Sequence, residues 1–143
     1  MDAQLRKVMD EAVRLDVNGR IGVASEAVNR IIGPLVEAGN SKDDITSFFI
    51  AITKMFVSAD KSCDDDEYNL FCRATGINMS TDDFFDMTNY GANEEFISNL
   101  LDVIHPLSPD VRQAICIYGI MLVSSNRSLS SDEIRIIERV IAA

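Results

Sequence analysis

Apolar residues return along this chain every three or four positions, the spacing of a buried helix face, and strand-like alternation is missing. Ile21, Ala24, Val28, Ile31, Ile32 and Leu35 form one such face over about 21–38. Gly33-Pro34 is expected to kink or split that helix, because proline removes a backbone donor and crowds the preceding turn. Asn18-Gly19 is expected to close the helical stretch before it, and Gly39 to stop the helix after it. Ser41 and Asp44 have the spacing of an N-cap and its third helical residue. They open a helix carrying Ile45, Phe48, Phe49, Ile52, Met55 and Phe56 on one face. Ser80 and Asn93 open two shorter helices, the second closed by His105-Pro106. Ser108-Pro109 starts another long helix, since proline suits the first helical position.

That last helix repeats an earlier one. Val111, Ala114, Ile115, Tyr118, Met121 and Leu122 each lie 66 positions beyond the apolar residues of the Ile45 helix. The loops that follow share a plan as well: FVSADKSCDDDEYNLF at 56–71 and LVSSNRSLSSDEIRII at 122–137. Beyond them Leu70, Phe71 and Ala74 match Ile136, Ile137 and Val140. The pattern predicts an all-α chain, a single domain over 1–143. It is a bundle of about seven or eight helices with a helix–loop–helix repeat at about 43–77 and 109–143. Each hairpin has one apolar seam and is expected to bury it against the other. Cys116, Ile117 and Ile120 make the later long helix apolar almost all round, so it is expected at the centre.

Length and composition agree with this picture. A chain of 143 residues with 47% hydrophobic and 25% charged residues suits one globular domain. The formal net charge of −10 argues against a nucleic-acid backbone or an anionic membrane surface as the main partner, because both call for a basic face. The N-terminus is charged and lacks the apolar core of a signal peptide. The longest apolar run, AICIYGIMLV at 114–123, is too short to span a bilayer as a helix. Three cysteines without a C-x-x-C pair suggest reduced thiols and a cytoplasmic location. Cys72 and Cys116 read as small core residues.

The acidic loop raises the question of a cation. Asp60, Ser62, Asp64, Asp66 and Glu67 place several hard oxygen donors close together, as Ca²⁺ or Mg²⁺ requires. An EF-hand does not fit. With Asp60 first, the sixth position should be Gly and is Asp65, and the twelfth should be Glu and is Phe71. A second account needs no ion: Asp64 as N-cap with Glu67 three residues on, and Ser130 with Glu133 in the second copy. In that copy Asn126 replaces Asp60, so Asn126 and Glu133 form the weaker metal candidate. Both accounts stand on sequence.

The order of long apolar helix, A-D-x-x-x-x-x-x-E and second helix, repeated near the C-terminus, resembles the tellurite-resistance TerB-like family, including the related N-terminal domain of some membrane-anchored DnaJ-type co-chaperones. The resemblance covers roughly residues 20–143. Lys61 and Arg127 stand where the family pattern has glycine, and Asn126 where it has a second Asp. The resemblance implies an all-helical, non-enzymatic domain whose acidic loops bind metal ions. It also implies roles in stress-linked complexes, often near membranes, so a peripheral membrane complex is compatible with it. The residues themselves offer little catalysis: His105 is the only histidine, and no nucleophile elbow, P-loop or dinucleotide fingerprint is present. Two expectations follow. One is a TerB-like module that binds a divalent cation through Asp60, Asp64 and Glu67. The other is a helical adaptor that binds an unidentified protein partner, its acidic loops serving only as caps.

Overall fold

Side-chain caps set where most of the helices begin. In the computed structural model, which describes residues 3–60, 64–89, 92–124 and 129–142, Asp16, Ser41, Asp64, Asn93, Ser108 and Ser130 each accept a hydrogen bond from the backbone three residues on. Ser80 does the same for Asp83. The resulting helices are α1 (Ala3–Ala12), α2 (Val17–Glu37), α3 (Lys42–Val57), α4 (Asp65–Thr75), α5 (Thr81–Asn89), α6 (Glu94–Ile104), α7 (Pro109–Val123) and α8 (Ser131–Ile141). A 3-10 turn, Ser58–Asp60, extends α3. The chain is all-α, as the periodicity predicts, with no strand among the described residues.

Two local expectations are overturned. Asn18-Gly19 does not close a helix; α1 ends at Ala12, and the pair sits in the first turn of α2, where the Gly19 amide donates to Asp16 at 2.7 Å. The aspartate cap outranks the Asn-Gly turn signal because it satisfies an amide that a helix start leaves open. Nor does Pro34 split α2, which runs unbroken from Val17 to Glu37. Proline there removes only the bond to the Arg30 carbonyl, and Arg30 is exposed, so water can satisfy that oxygen. Glycines end two helices in left-handed backbone: Gly39 at φ 92° after α2 and Gly76 at φ 73° after α4.

Helix α7 is the centre of the bundle. Val111 and every residue from Ala114 to Val123 are buried, and α1, α2, α3, α4 and α8 all pack against it. The repeat survives in three dimensions. Phe49 and its counterpart Ile115 both face the core, as do Leu70, Phe71 and Ala74 and their counterparts Ile136, Ile137 and Val140. The two hairpins meet where α3 crosses α7. There the Phe56 ring lies directly over Gly119, so closely that a β-carbon at 119 would overlap three ring carbons. Beside it Thr53 Oγ1 donates to the Phe49 carbonyl at 2.7 Å, which leaves the Tyr118 hydroxyl to donate to Thr53, also at 2.7 Å. Phe49 and Tyr118 meet edge to face at 6.0 Å.

A satellite cluster joins α4 to α5. Phe84 is fully buried between Tyr68 and Phe71, with ring centroids 5.4 and 5.3 Å away, and the Tyr68 hydroxyl donates to the Met79 carbonyl at 2.6 Å. Phe85 and Met87 are half-buried, and Tyr90 lies outside the described residues. Among the described residues no helix is long and apolar enough to cross a membrane.

Candidate functional site

The acids singled out in the sequence form two closed capping boxes. Asp64 Oδ1 accepts from the Glu67 amide at 2.8 Å while Glu67 Oε1 accepts from the Asp64 amide at 3.2 Å. Ser130 Oγ accepts from the Glu133 amide at 3.1 Å, and Glu133 Oε1 accepts from the Ser130 amide at 2.7 Å. Each cap contributes about 1 kcal/mol, and the acids also complement the positive helix ends. Glu67 is 4% exposed and Glu133 1%, so the acids at the third helical positions are core residues rather than surface charges. A buried carboxylate needs hydrogen-bond donors to offset lost hydration, and the cap amides supply one to each. The 3-10 turn after α3 packs against α8, so the entry to the first loop meets the last helix of the second hairpin.

Asp64, Asp65 and Asp66 are exposed in a row at the start of α4. Asp60 lies in the 3-10 turn, but its side chain, like Ser62, Cys63 and Asn126, is outside the described residues. Among the described residues no three His, Cys, Asp or Glu side chains are grouped so as to hold a metal ion. Asp64 and Glu67 are therefore brought together by the cap itself.

His105 and Cys116 both make structural contacts with α8. His105 ends α6, and its Nε2 hydrogen-bonds the Arg139 carbonyl at 2.9 Å. The Arg139 guanidinium grips Glu94 at 2.6 and 3.1 Å, which holds the Glu94 carboxyl below its ordinary range. Helix α6 is thus tied to α8 near both of its ends. The Cys116 thiol is buried against the Ile137 carbonyl, and burial pushes it up to about 12. The Tyr118 hydroxyl is pushed up for the same reason, against its hydrogen bond to Thr53, which pulls it down. Cys72 is half-buried.

The buried thiol sets an alkaline limit. An unfolded cysteine ionises near its ordinary 9.0 while folded Cys116 holds its proton to about 12. Between these values the unfolded state binds fewer protons, so stability falls as pH rises, by up to about 1.4 kcal/mol per pH unit for one proton. Below pH 9 the contribution is fully present. Urea melts at pH 8 and pH 10.5 are expected to show a larger loss in wild type than in Cys116→Ala. Equal losses in the two would place the alkaline sensitivity elsewhere.

Sequence reasoning missed the two apolar hollows on either side of the α3 start. The first, about 370 Å³, lies between α2, α3 and the end of α4, with Ile32, Val36, Ile45, Phe49 and Ile77 in its wall and Lys42 at its edge. The second, about 460 Å³, lies between α3 and α6, lined by Leu35, Phe48, Val103 and Leu107 with Asp44. Among the described residues Val36 and Val103 are the large hydrophobics left most open, 56% and 57% exposed. One signal was available: Val36 follows Ile32 at helical spacing and adds an apolar edge beside the face that holds Leu35.

No family model matches the chain, and no curated protein or solved structure matches it either.

Proposed function

We propose that this protein is a non-enzymatic helical module of the TerB-like kind, which acts by binding a protein partner on the α3–α6 face. The observation that carries this reading is the second hollow. Val103 stands open at its rim, Phe48, Leu35 and Leu107 form its wall, and exposed Asp44 borders it with negative charge. In a chain of net charge −10, that combination suits a partner that offers an apolar side chain flanked by Lys or Arg. The capping boxes support the same reading, because they account for Asp64, Glu67, Ser130 and Glu133 without an ion.

A second reading keeps the cation. Asp65 and Asp66 are not needed for the cap, and they stand exposed beside Asp64, five and six positions along the sequence from Asp60. On this reading Asp60, Asp64 and Glu67 hold Ca²⁺ or Mg²⁺, with Asn126 and Glu133 as the weaker second set.

One pair of measurements separates the two. A photo-crosslinking residue at Val103 is expected to give a discrete adduct in cells that is absent when the probe sits at exposed Asn29 and is lost on Asp44→Lys. Melting with and without millimolar Ca²⁺ or Mg²⁺ is expected to show no change. An ion-dependent gain, about 2.7 kcal/mol at a hundred times Kd, removed by Asp60→Asn and with no adduct at 103, would replace the adaptor reading with the cation reading.

A further inference from the structure

We infer that the first hollow is a binding site for a small anionic amphiphile, a single medium-length alkyl chain ending in a carboxylate. The wall is apolar: Ile32 and Ile77 half-buried, Ile45 and Phe49 buried, Val36 at the open rim. Its polar groups are largely engaged already. Thr75 Oγ1 donates to the Phe71 carbonyl and accepts from the Ile77 amide, and Asn40 Nδ2 donates to the Leu35 carbonyl. The one charged group lining the hollow is Lys42, which is exposed and forms no ion pair among the described residues. Lys42 is also the first residue of α3, so its ammonium and the positive helix end favour the same sign of charge.

The adjacent acids lie outside the hollow. Asp44 Oδ2 accepts from the Ser41 amide and Asp44 borders the second hollow instead, while Asp43 lines neither. An apolar pocket with one cation at its mouth sorts ligands by a hydrocarbon body and a single negative head. A volume of about 370 Å³ is at the small end of ligand pockets, roughly 300–1,000 Å³, so one short chain fits and a two-tailed lipid does not. The site adjoins the α3–α6 hollow, with Asn40 and Ile45 in the wall of both, but it does not depend on a protein partner there.

The test is a titration of sodium decanoate, kept below its micelle concentration, into isotope-labelled protein followed by amide shifts. Saturable shifts are expected at Ile32, Val36, Ile45, Thr46 and Ile77. Decyltrimethylammonium is expected to bind more weakly. Lys42→Gln is expected to weaken decanoate by about two- to five-fold, in line with an exposed ion pair, and salt to erase that difference. Val36→Glu, at an exposed position where folding is not at stake, is expected to abolish binding. Val103→Glu, which damages the proposed partner face, is expected to leave it intact. Anionic vesicles of phosphatidylglycerol provide the other source of such a head group and are expected to give no shifts at these residues. Equal binding of the cationic and anionic probes, shifts confined to other residues, unchanged affinity in Lys42→Gln, or shifts with vesicles alone would each overturn the assignment.

Discussion

Gly119→Val is expected to destabilise the fold by about 3 kcal/mol or more, the upper end of overpacking costs. The cause is local. The Phe56 ring occupies the space that the new side chain needs, and Phe56 is itself fully buried with no exposed direction in which to retreat. Helix propensity opposes the effect only slightly, because valine in place of glycine gains a few tenths of a kcal/mol in a helix interior. A second substitution makes the argument specific. Phe56→Leu alone loses ring contacts and should cost stability, yet combined with Gly119→Val it should cost much less than the sum of the two, since the smaller side chain gives back room. Chemical denaturation of the four proteins measures this coupling. Strict additivity would mean that Phe56 and Gly119 do not share the space assigned to them.

Ile115→Ala is expected to cost about 2–5 kcal/mol, the range for removing a large aliphatic side chain from a tight interior. Ile115 is 0% exposed in the middle of α7, against which five other helices pack, so no neighbour can collapse into the void without disturbing several interfaces. The exposed Val103→Ala is the control and should fall within about 0.5 kcal/mol of wild type. A loss of less than 1 kcal/mol at Ile115 would remove α7 from the centre.

Much of this architecture could be read from spacing alone. Matched apolar registers 66 positions apart placed Phe49 and Ile115 inward and singled out α7 as central, because an apolar residue at every third or fourth position has only one way to face a core. The cap pairs Ser41–Asp44, Asp64–Glu67 and Ser130–Glu133 were legible because three-residue spacing is the signature itself. What was hidden were quantities that depend on two distant segments at once. Nothing local marks Glu67 and Glu133 as buried, Phe56 as the neighbour of Gly119, or Val36 and Ile77 as walls of one hollow. Pro34 and Asn18-Gly19 misled for a related reason: the carbonyl that Pro34 leaves open belongs to an exposed residue, Asp16 caps the Gly19 amide, and α2 packs along α7 and α4.

The crossing of α3 and α7 also decides which hairpin can pair with which. The residue of the first hairpin equivalent to Gly119 is Thr53, 66 positions earlier, and it carries a β-branched side chain. Two first hairpins docked in the α3–α7 geometry would set Phe56 against Thr53, where a β-branched side chain takes the space that Gly119 leaves to the ring. During synthesis the first hairpin emerges well before the second, so α3 lacks its α7 partner in the meantime. Only the later hairpin brings the glycine, so the duplicated sequence carries a built-in distinction between self and copy.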